Sequence, residues 1–205
     1  MSPYTLEVYR FDADRLLQVT SEYMHPLIGA VKAVSGINVG FFGQQFQDAK
    51  QLYLIQLWDS YEKHVELRTD SAHWAGVQEH IDVISSKQFS YHGAYDVDPT
   101  PALTAPVTEI LKLTANEGVS RDDTLLPVLA STVELLRAIS GVQGASFGPV
   151  LEDNKSVAFV CGWQSFDHFT KSTAQGSAAV REKIAQLKQI AAVELGHADL
   201  SSYKE

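Results

Sequence analysis

A chain of 205 residues with a formal charge of −9, from 16 basic against 25 acidic side chains, has no basic surplus with which to hold a polyphosphate backbone. Nucleic acid and anionic membrane surfaces are therefore excluded as partners. The single cysteine, Cys161, rules out an intrachain disulfide, no apolar run has transmembrane length, and the start does not read as a signal peptide, so a reducing, cytoplasmic setting is expected, with small molecules or other proteins as partners.

In chain order, residues 4 to 11 alternate apolar with polar and predict a first strand. Leu16, Thr20, Tyr23, Leu27, Val31 and Val34 then recur at three-and-four spacing, the period of an amphipathic helix, and Ser35-Gly36 supplies a glycine stop. Two strands are expected at about 37 to 46 and 51 to 58 across the polar turn QDAK. A short helix from about 60 to 68, a longer one from about 71 to 86 and a last strand at 88 to 95 complete the unit. The stretch DVDPTPALTAP at 96 to 106 holds three prolines and is the one good linker candidate.

The same grammar then starts again. AVSGINVGFFGQQF at 33 to 46 is answered by AISGVQGASFGPVL at 138 to 151, and Gly36 and Gly141, Gly43 and Gly148, Lys50 and Lys155, Trp58 and Trp163, His92 and His197 all lie 105 positions apart. That is an internal duplication. The first strands, EVYRF at 7 to 11 and EILKL at 109 to 113, pair at an offset of 102, so the second copy carries three extra residues in the loop that follows. Residues 1–98 are expected to form one repeat, 99–106 the proline-rich linker and 107–205 the second repeat, with Leu125, Leu129, Val133, Leu136 and Ile139 on its first helix and Val180, Ile184 and Leu187 on its second. Strand, helix, strand, strand, helix, strand in both copies predicts an α+β chain of two ferredoxin-like units.

Helices cover only one face of such a sheet, yet LYLIQLW at 52 to 58 and VAFVCGW at 157 to 163 are apolar at nearly every position, which requires both faces to be buried. The cheapest cover for the open face is the equivalent sheet of the other copy, giving an intramolecular pseudo-dimer and leaving a further homodimer open. On these tokens, together with the SG turn after the first helix, the FG of the second strand and the W-x-S after the third (WDSYE at 58 to 62, WQSFD at 163 to 167), the sequence resembles the dimeric α+β barrel superfamily across both halves. That superfamily includes antibiotic-biosynthesis-type monooxygenases, stress-responsive barrel proteins and olivetolic-acid-cyclase-like proteins.

The resemblance implies a pocket between the sheet and helices of each unit, with histidine as its usual titratable group. On the helix predicted over 71 to 86, His73, Val77, His80 and Ile84 fall within about 60° of one another, with Trp74 and Ile81 close by. A neutral imidazole there is suited to moving a proton near pH 7. His73 lies fifteen residues after Trp58, where cyclase-like barrels carry their catalytic histidine, while Leu67 stands in place of the cyclase tyrosine, a departure that puts the same cyclisation in doubt. His73 is the expected catalytic residue, with helix capping as the alternative. His25, beside Tyr23, is a second catalytic candidate, or marks a kink with Pro26. The expected lining is Tyr23, Phe42, Leu54, Leu67, Trp74, Val77, His80 and Ile84, with core packing an equal account of Leu54 and Ile84 and a surface or structural place an alternative for His80.

In the second copy Ala178 and Ala179 stand in register with His73 and Trp74. Such small residues let a helix approach its sheet, so a filled or reduced pocket and a mainly structural role are expected there. There is no phosphate loop, nucleophile elbow or H-E-x-x-H motif, and His73, His80 and His92 lack spaced carboxylate companions, so neither a metal nor another cofactor is expected. These readings lead to a cofactor-independent enzyme on a small apolar, aromatic or polyketide-like substrate, of lyase, cyclase or monooxygenase type. The alternative is a noncatalytic stress-responsive barrel that binds a small ligand or stabilises proteins.

Overall fold

The computed structural model describes residues 4–16 and 21–204, and side chains throughout these except at residues 21 and 71–73. The first repeat runs β1 (Tyr4–Asp12), α1 (Ser21–Lys32), β2 (Ile37–Gln45), β3 (Gln51–Trp58), α2 (Tyr61–Thr69), α3 (Ser71–Ile84) and β4 (Lys87–Tyr95). A short α4 (Thr100–Leu103) leads to β5 (Val107–Ala115), α5 (Leu126–Arg137), β6 (Val142–Pro149), β7 (Ser156–Trp163), α6 (Phe166–Gln175), α7 (Ala178–Ile190) and β8 (Ala191–Lys204). α1 and α5 begin at 21 and 126, and β3 and β7 at 51 and 156, each pair 105 apart. The three extra residues of the second copy fall between β5 and α5, where a π-helical turn (Arg121–Leu125) opens the helix.

The strands form one antiparallel sheet in the order β4-β1-β3-β2-β8-β5-β7-β6, so each repeat contributes a ferredoxin-like quartet and β2–β8 pairing joins them. The free edges also meet. Leu151 N–H donates to the His92 carbonyl at 2.9 Å, Asp96 N–H to the Phe147 carbonyl at 2.9 Å, and Gly93 bridges Val150. The sheet thereby curls into an α+β barrel.

Alternation along each strand divides the core, because successive side chains point to opposite faces. In β3, Tyr53, Ile55 and Leu57 join Leu6, Val8, Ile110, Val160 and Ala198 inside the barrel, whereas Leu52 and Leu54 pack outward with α1 and α3 residues such as Leu27, Val31 and Ile81. β7 divides likewise, with Ala158 and Val160 inside and Val157, Phe159 and Cys161 against α5 and α7. Continuous apolar strands thus have a cover on each face.

The recurring tokens have local causes. Gly36 and Gly141 take φ of 86° and 93°, the left-handed region that favours glycine, in the turns that lead from α1 into β2 and from α5 into β6. Ser60 and Ser165 accept hydrogen bonds from Lys63 N–H at 3.4 Å and His168 N–H at 3.1 Å and cap α2 and α6. Gly43 and Gly148 sit where the two repeats meet edge to edge: a Cβ on Gly43 would overlap the Asp199 carbonyl oxygen, and one on Gly148 the Ala94 carbonyl oxygen. Gly148→Ala is therefore expected to lower stability by about 1–3 kcal/mol, the usual cost of overpacking, in a urea melt. An unchanged midpoint would show that the seam can part without cost.

The proline-rich stretch is more than a tether. Ala102 and Leu103 of α4 are fully buried and join the barrel interior. Among the described residues, no helix is long and apolar enough to cross a membrane.

Candidate functional site

A carboxyl interrupts the outward face of each repeat's first strand: Glu7 in β1 and Glu109 in β5, 3 % and 9 % exposed. Trp58 and Trp163, 1 % and 0 % exposed, end the third strands. A buried indole N–H needs an acceptor. Trp58 Nε1 donates to Glu7 at 3.0 Å and Trp163 Nε1 to Glu109 at 2.9 Å. The tryptophan of the W-x-S token thus holds a carboxyl under the helices.

Strand register adds a histidine to each. Glu7 lies opposite His92 in the β1–β4 ladder and Glu109 opposite His197 in β5–β8, so each pair projects from one face. Each histidine is then clasped by the hairpin of the other repeat. Glu152 accepts from the His92 backbone N–H at 3.0 Å and from its ring Nδ1. Gln47 accepts from the His197 backbone N–H at 3.3 Å, and its amide NH2 lies 2.7 Å from His197 Nδ1. A carboxylate can only accept, so His92 carries a hydrogen on Nδ1; the Gln47 amide donates, so His197 Nδ1 accepts instead. Burial opposes ionisation of Glu152, yet the hydrogen bonds from His92 hold its carboxyl below the usual range. Burial pushes His197 down to about 4.

The repeats differ in the next position. His64 of α2, 6 % exposed, packs against His92 with tilted rings whose centroids are 4.2 Å apart, and in the second repeat Phe169 packs against His197 at the same 4.2 Å. His64 Nε2 lies 3.4 Å from Glu7 Oε1 and His92 Nε2 lies 3.7 Å from it. Burial, with His92 and Arg68 adding, pushes His64 down to about 3, and burial raises the Glu7 carboxyl above the usual range against the pull of His92 and Trp58.

Among the described residues, the sheet–helix cavity of the first repeat holds only about 20 Å³. Of the candidate lining residues, Leu54, Leu67, Trp74 and Val77 border it, together with Glu7 and His64. The other expected lining residues do not. Tyr23 is 44 % exposed and His25 is exposed on α1, because Met24, Leu27 and Val31 form the buried stripe of that helix and leave its other face to solvent. Phe42 packs half-buried against the α1–α3 core, Ile84 is wholly buried in it and His80 is half-buried, none of them at the cavity. The side chain of His73, the expected catalytic residue, lies outside the described residues; its backbone is in the first turn of α3.

The expectation of a reduced pocket in the second repeat is reversed. There the cavity between β5, β7, β8 and helices α5, α6 and α7 is about 160 Å³, walled by Leu111, Leu129, Phe159, Phe169 and Leu187, with the Glu109 carboxyl in its lining. Ala178 and Ala179 are exposed, so they do not draw α7 onto the sheet, and no indole occupies the space that Trp74 fills in the first repeat. Burial pushes Glu109 up to about 7, opposed only by the indole hydrogen bond. Such a group is an effective proton acceptor at neutral pH.

No protein-family model matches the sequence, and no curated protein matches it either. Solved structures do match over the whole chain. A provisionally assigned monooxygenase of Fusobacterium nucleatum subsp. nucleatum superposes with a TM-score of 0.69 at 11 % identity, over 100 % of this chain and 99 % of that one. One from Lactobacillus acidophilus NCFM gives 0.65 at 11 % identity, over 98 % and 97 %. An anthrone oxidase-like protein gives 0.73 at 11 % identity, over 99 % and 94 %. The shared architecture is that of a tandem α+β barrel; the chemistry has to be argued from this chain's own residues.

Proposed function

We propose that the chain is a monooxygenase-type enzyme that oxidises a small, largely apolar aromatic substrate in the second repeat, with Glu109 as the proton acceptor. The observation that carries this reading is a carboxyl poised near neutrality in an apolar cavity, held by a single indole donor. A dry cavity of about 150 Å³ accommodates benzene, so this one suits a single activated ring, with larger substrates reaching out past the Lys188 rim. The described lining offers one ionisable acceptor, which makes the chemistry that of proton removal. An acidic C–H of a substrate methylene gives its proton to the Glu109 carboxylate. The carbanion, delocalised into the ring as an enolate, is oxidised by molecular oxygen. One oxygen atom becomes the new carbonyl and the other leaves as water with the two methylene hydrogens, so one methylene and one dioxygen give one ketone and one water. The names of the whole-length structural neighbours decide which reaction class is tested first, and the buried carboxyl carries the argument.

The test measures oxygen uptake with a panel of one- and two-ring phenols and benzylic ketones, alongside binding followed by Trp163 fluorescence. Glu109→Gln is expected to lower turnover by about 10²- to 10⁴-fold with binding retained, as loss of a general base does. In the parent protein kcat/KM should rise with pH through about 7, where Glu109 ionises. Full turnover in folded Glu109→Gln would remove the assignment and return attention to His73. Binding without uptake across the panel would favour the ligand-binding barrel instead.

A further inference from the structure

We propose that Glu7, His64 and His92 form a three-ligand site for a divalent first-row transition metal in the first repeat, separate from the Glu109 pocket. Their side chains are 4 %, 8 % and 3 % exposed, and one donor atom from each lies within 4.8 Å of the other two. Among the described residues, His64 Nε2 and His92 Nε2 are buried without a hydrogen-bond partner; His197 Nε2 of the second repeat is too, but only in the first repeat do two such nitrogens converge on a carboxyl. Both face Glu7 Oε1, at 3.4 and 3.7 Å, beyond the 2.7–3.2 Å of a direct N–H···O bond. Metal bonds of about 2.0–2.1 Å at tetrahedral angles set donors about 3.3–3.4 Å apart, close to this spacing.

The surrounding groups fit the same purpose. Glu152 holds His92 Nδ1 and leaves Nε2 as the ring nitrogen turned to the cluster, the outer-shell carboxylate typical of a metal-bound histidine. Trp58 holds the second Glu7 oxygen, which leaves Oε1 for a ligand. Glu7 and Glu152 together offer two negative charges against a dication. Two unpartnered imidazole nitrogens and a carboxylate oxygen converge in this buried space, a donor set that a cation between them would satisfy. The cavity of about 20 Å³ that touches Glu7 and His64 has room for one water as a fourth ligand.

The second repeat is an internal control. It keeps the carboxyl, the tryptophan and the histidine as Glu109, Trp163 and His197, but has Phe169 where His64 stands and Gln47 where Glu152 stands. An aromatic ring alone therefore satisfies the packing. A buried histidine with an unpartnered nitrogen costs stability in that place, and a ligand offsets the cost.

The experiment titrates metal-free full-length protein with Co²⁺ and Zn²⁺ in excess Mg²⁺. One equivalent of Co²⁺ is expected to bind, with the visible absorption of low-coordinate cobalt(II), to be displaced by Zn²⁺, and to raise the melting temperature. Glu152→Gln should weaken binding by roughly 10–100-fold, the size of an outer-shell change, and His64→Phe, which copies the second repeat, by more than that. The absence of a bound equivalent, or an unchanged affinity in His64→Phe, would overturn the site and assign any binding to surface histidines. Should His64→Phe fail to fold, unchanged affinity in both Glu152→Gln and Glu7→Gln overturns it equally. The readout involves no turnover and stands apart from the Glu109 assignment.

Discussion

Residues 1–98 produced without the second repeat are expected not to yield a folded monomer. Leu6, Val8, Phe41, Tyr53, Ile55, Leu57 and Tyr95 face the barrel interior, where Ile110, Val150, Val160, Ala198 and Leu200 of the second repeat cover them. Burial of each such side chain contributes about 1.5–3 kcal/mol, so uncovering these seven would forfeit on the order of 10–20 kcal/mol. That equals or exceeds the whole stability of an ordinary domain, about 5–15 kcal/mol. The loss of β8 also leaves β2 as an open edge. Size-exclusion chromatography with hydrogen exchange should find aggregate, or a homodimer joined through the same face, and mixing with residues 99–205 should restore the barrel. A monomer with native protection of β1 and β3 would refute the mutual-cover argument.

Replacing Glu109 with glutamine should stabilise the protein at alkaline pH while removing its proposed base. The carboxyl titrates at about 7 in the folded protein against an ordinary 4.5, because burial disfavours its charge. Between these values the folded state holds a proton that the unfolded state has released. Its favourable contribution is therefore complete below pH 4.5 and is lost as pH rises through 7. Above 7 the parent protein keeps a buried carboxylate at a cost of about 3 kcal/mol, which Glu109→Gln avoids. The two proteins should melt together near pH 4, and the variant should melt on the order of 5–10 °C higher at pH 8. His197 acts in the opposite sense: titrating at about 4 against 6.5, it stays neutral when folded, and stability is lost as pH falls from 6.5 through 4. Equal melting temperatures at pH 8 would show Glu109 ionised at no cost, and with it the reason to regard it as a poised base would go. A retained group that destabilises the fold at working pH is what a functional residue is expected to look like.

Periodicity and repetition in the sequence by themselves determined the elements, their order and the need for a partner sheet. LYLIQLW and VAFVCGW cannot be half-exposed strands, and the 105-residue offset makes each repeat the other's cover. The signal for the site was also present, since EVYRF and EILKL both place in a central strand a glutamate that has no place in an apolar core. Its meaning was not legible, because a carboxylate acquires a partner only through register. Glu7 meets His92 across a ladder that joins positions 85 residues apart, and Glu152 reaches His92 from the opposite repeat. Spacing along two helices directed attention to His73 on one and to His25 and Tyr23 on the other, whereas burial is decided by which face a helix lays on the sheet, and α1 lays down Met24, Leu27 and Val31. Nor could composition tell which pocket is open. Small residues at 178 and 179 allow either a closer helix or an emptier cavity, and the packing of α7 against Phe159 and Phe169, settled only by the whole tertiary structure, left the space beside Glu109 open.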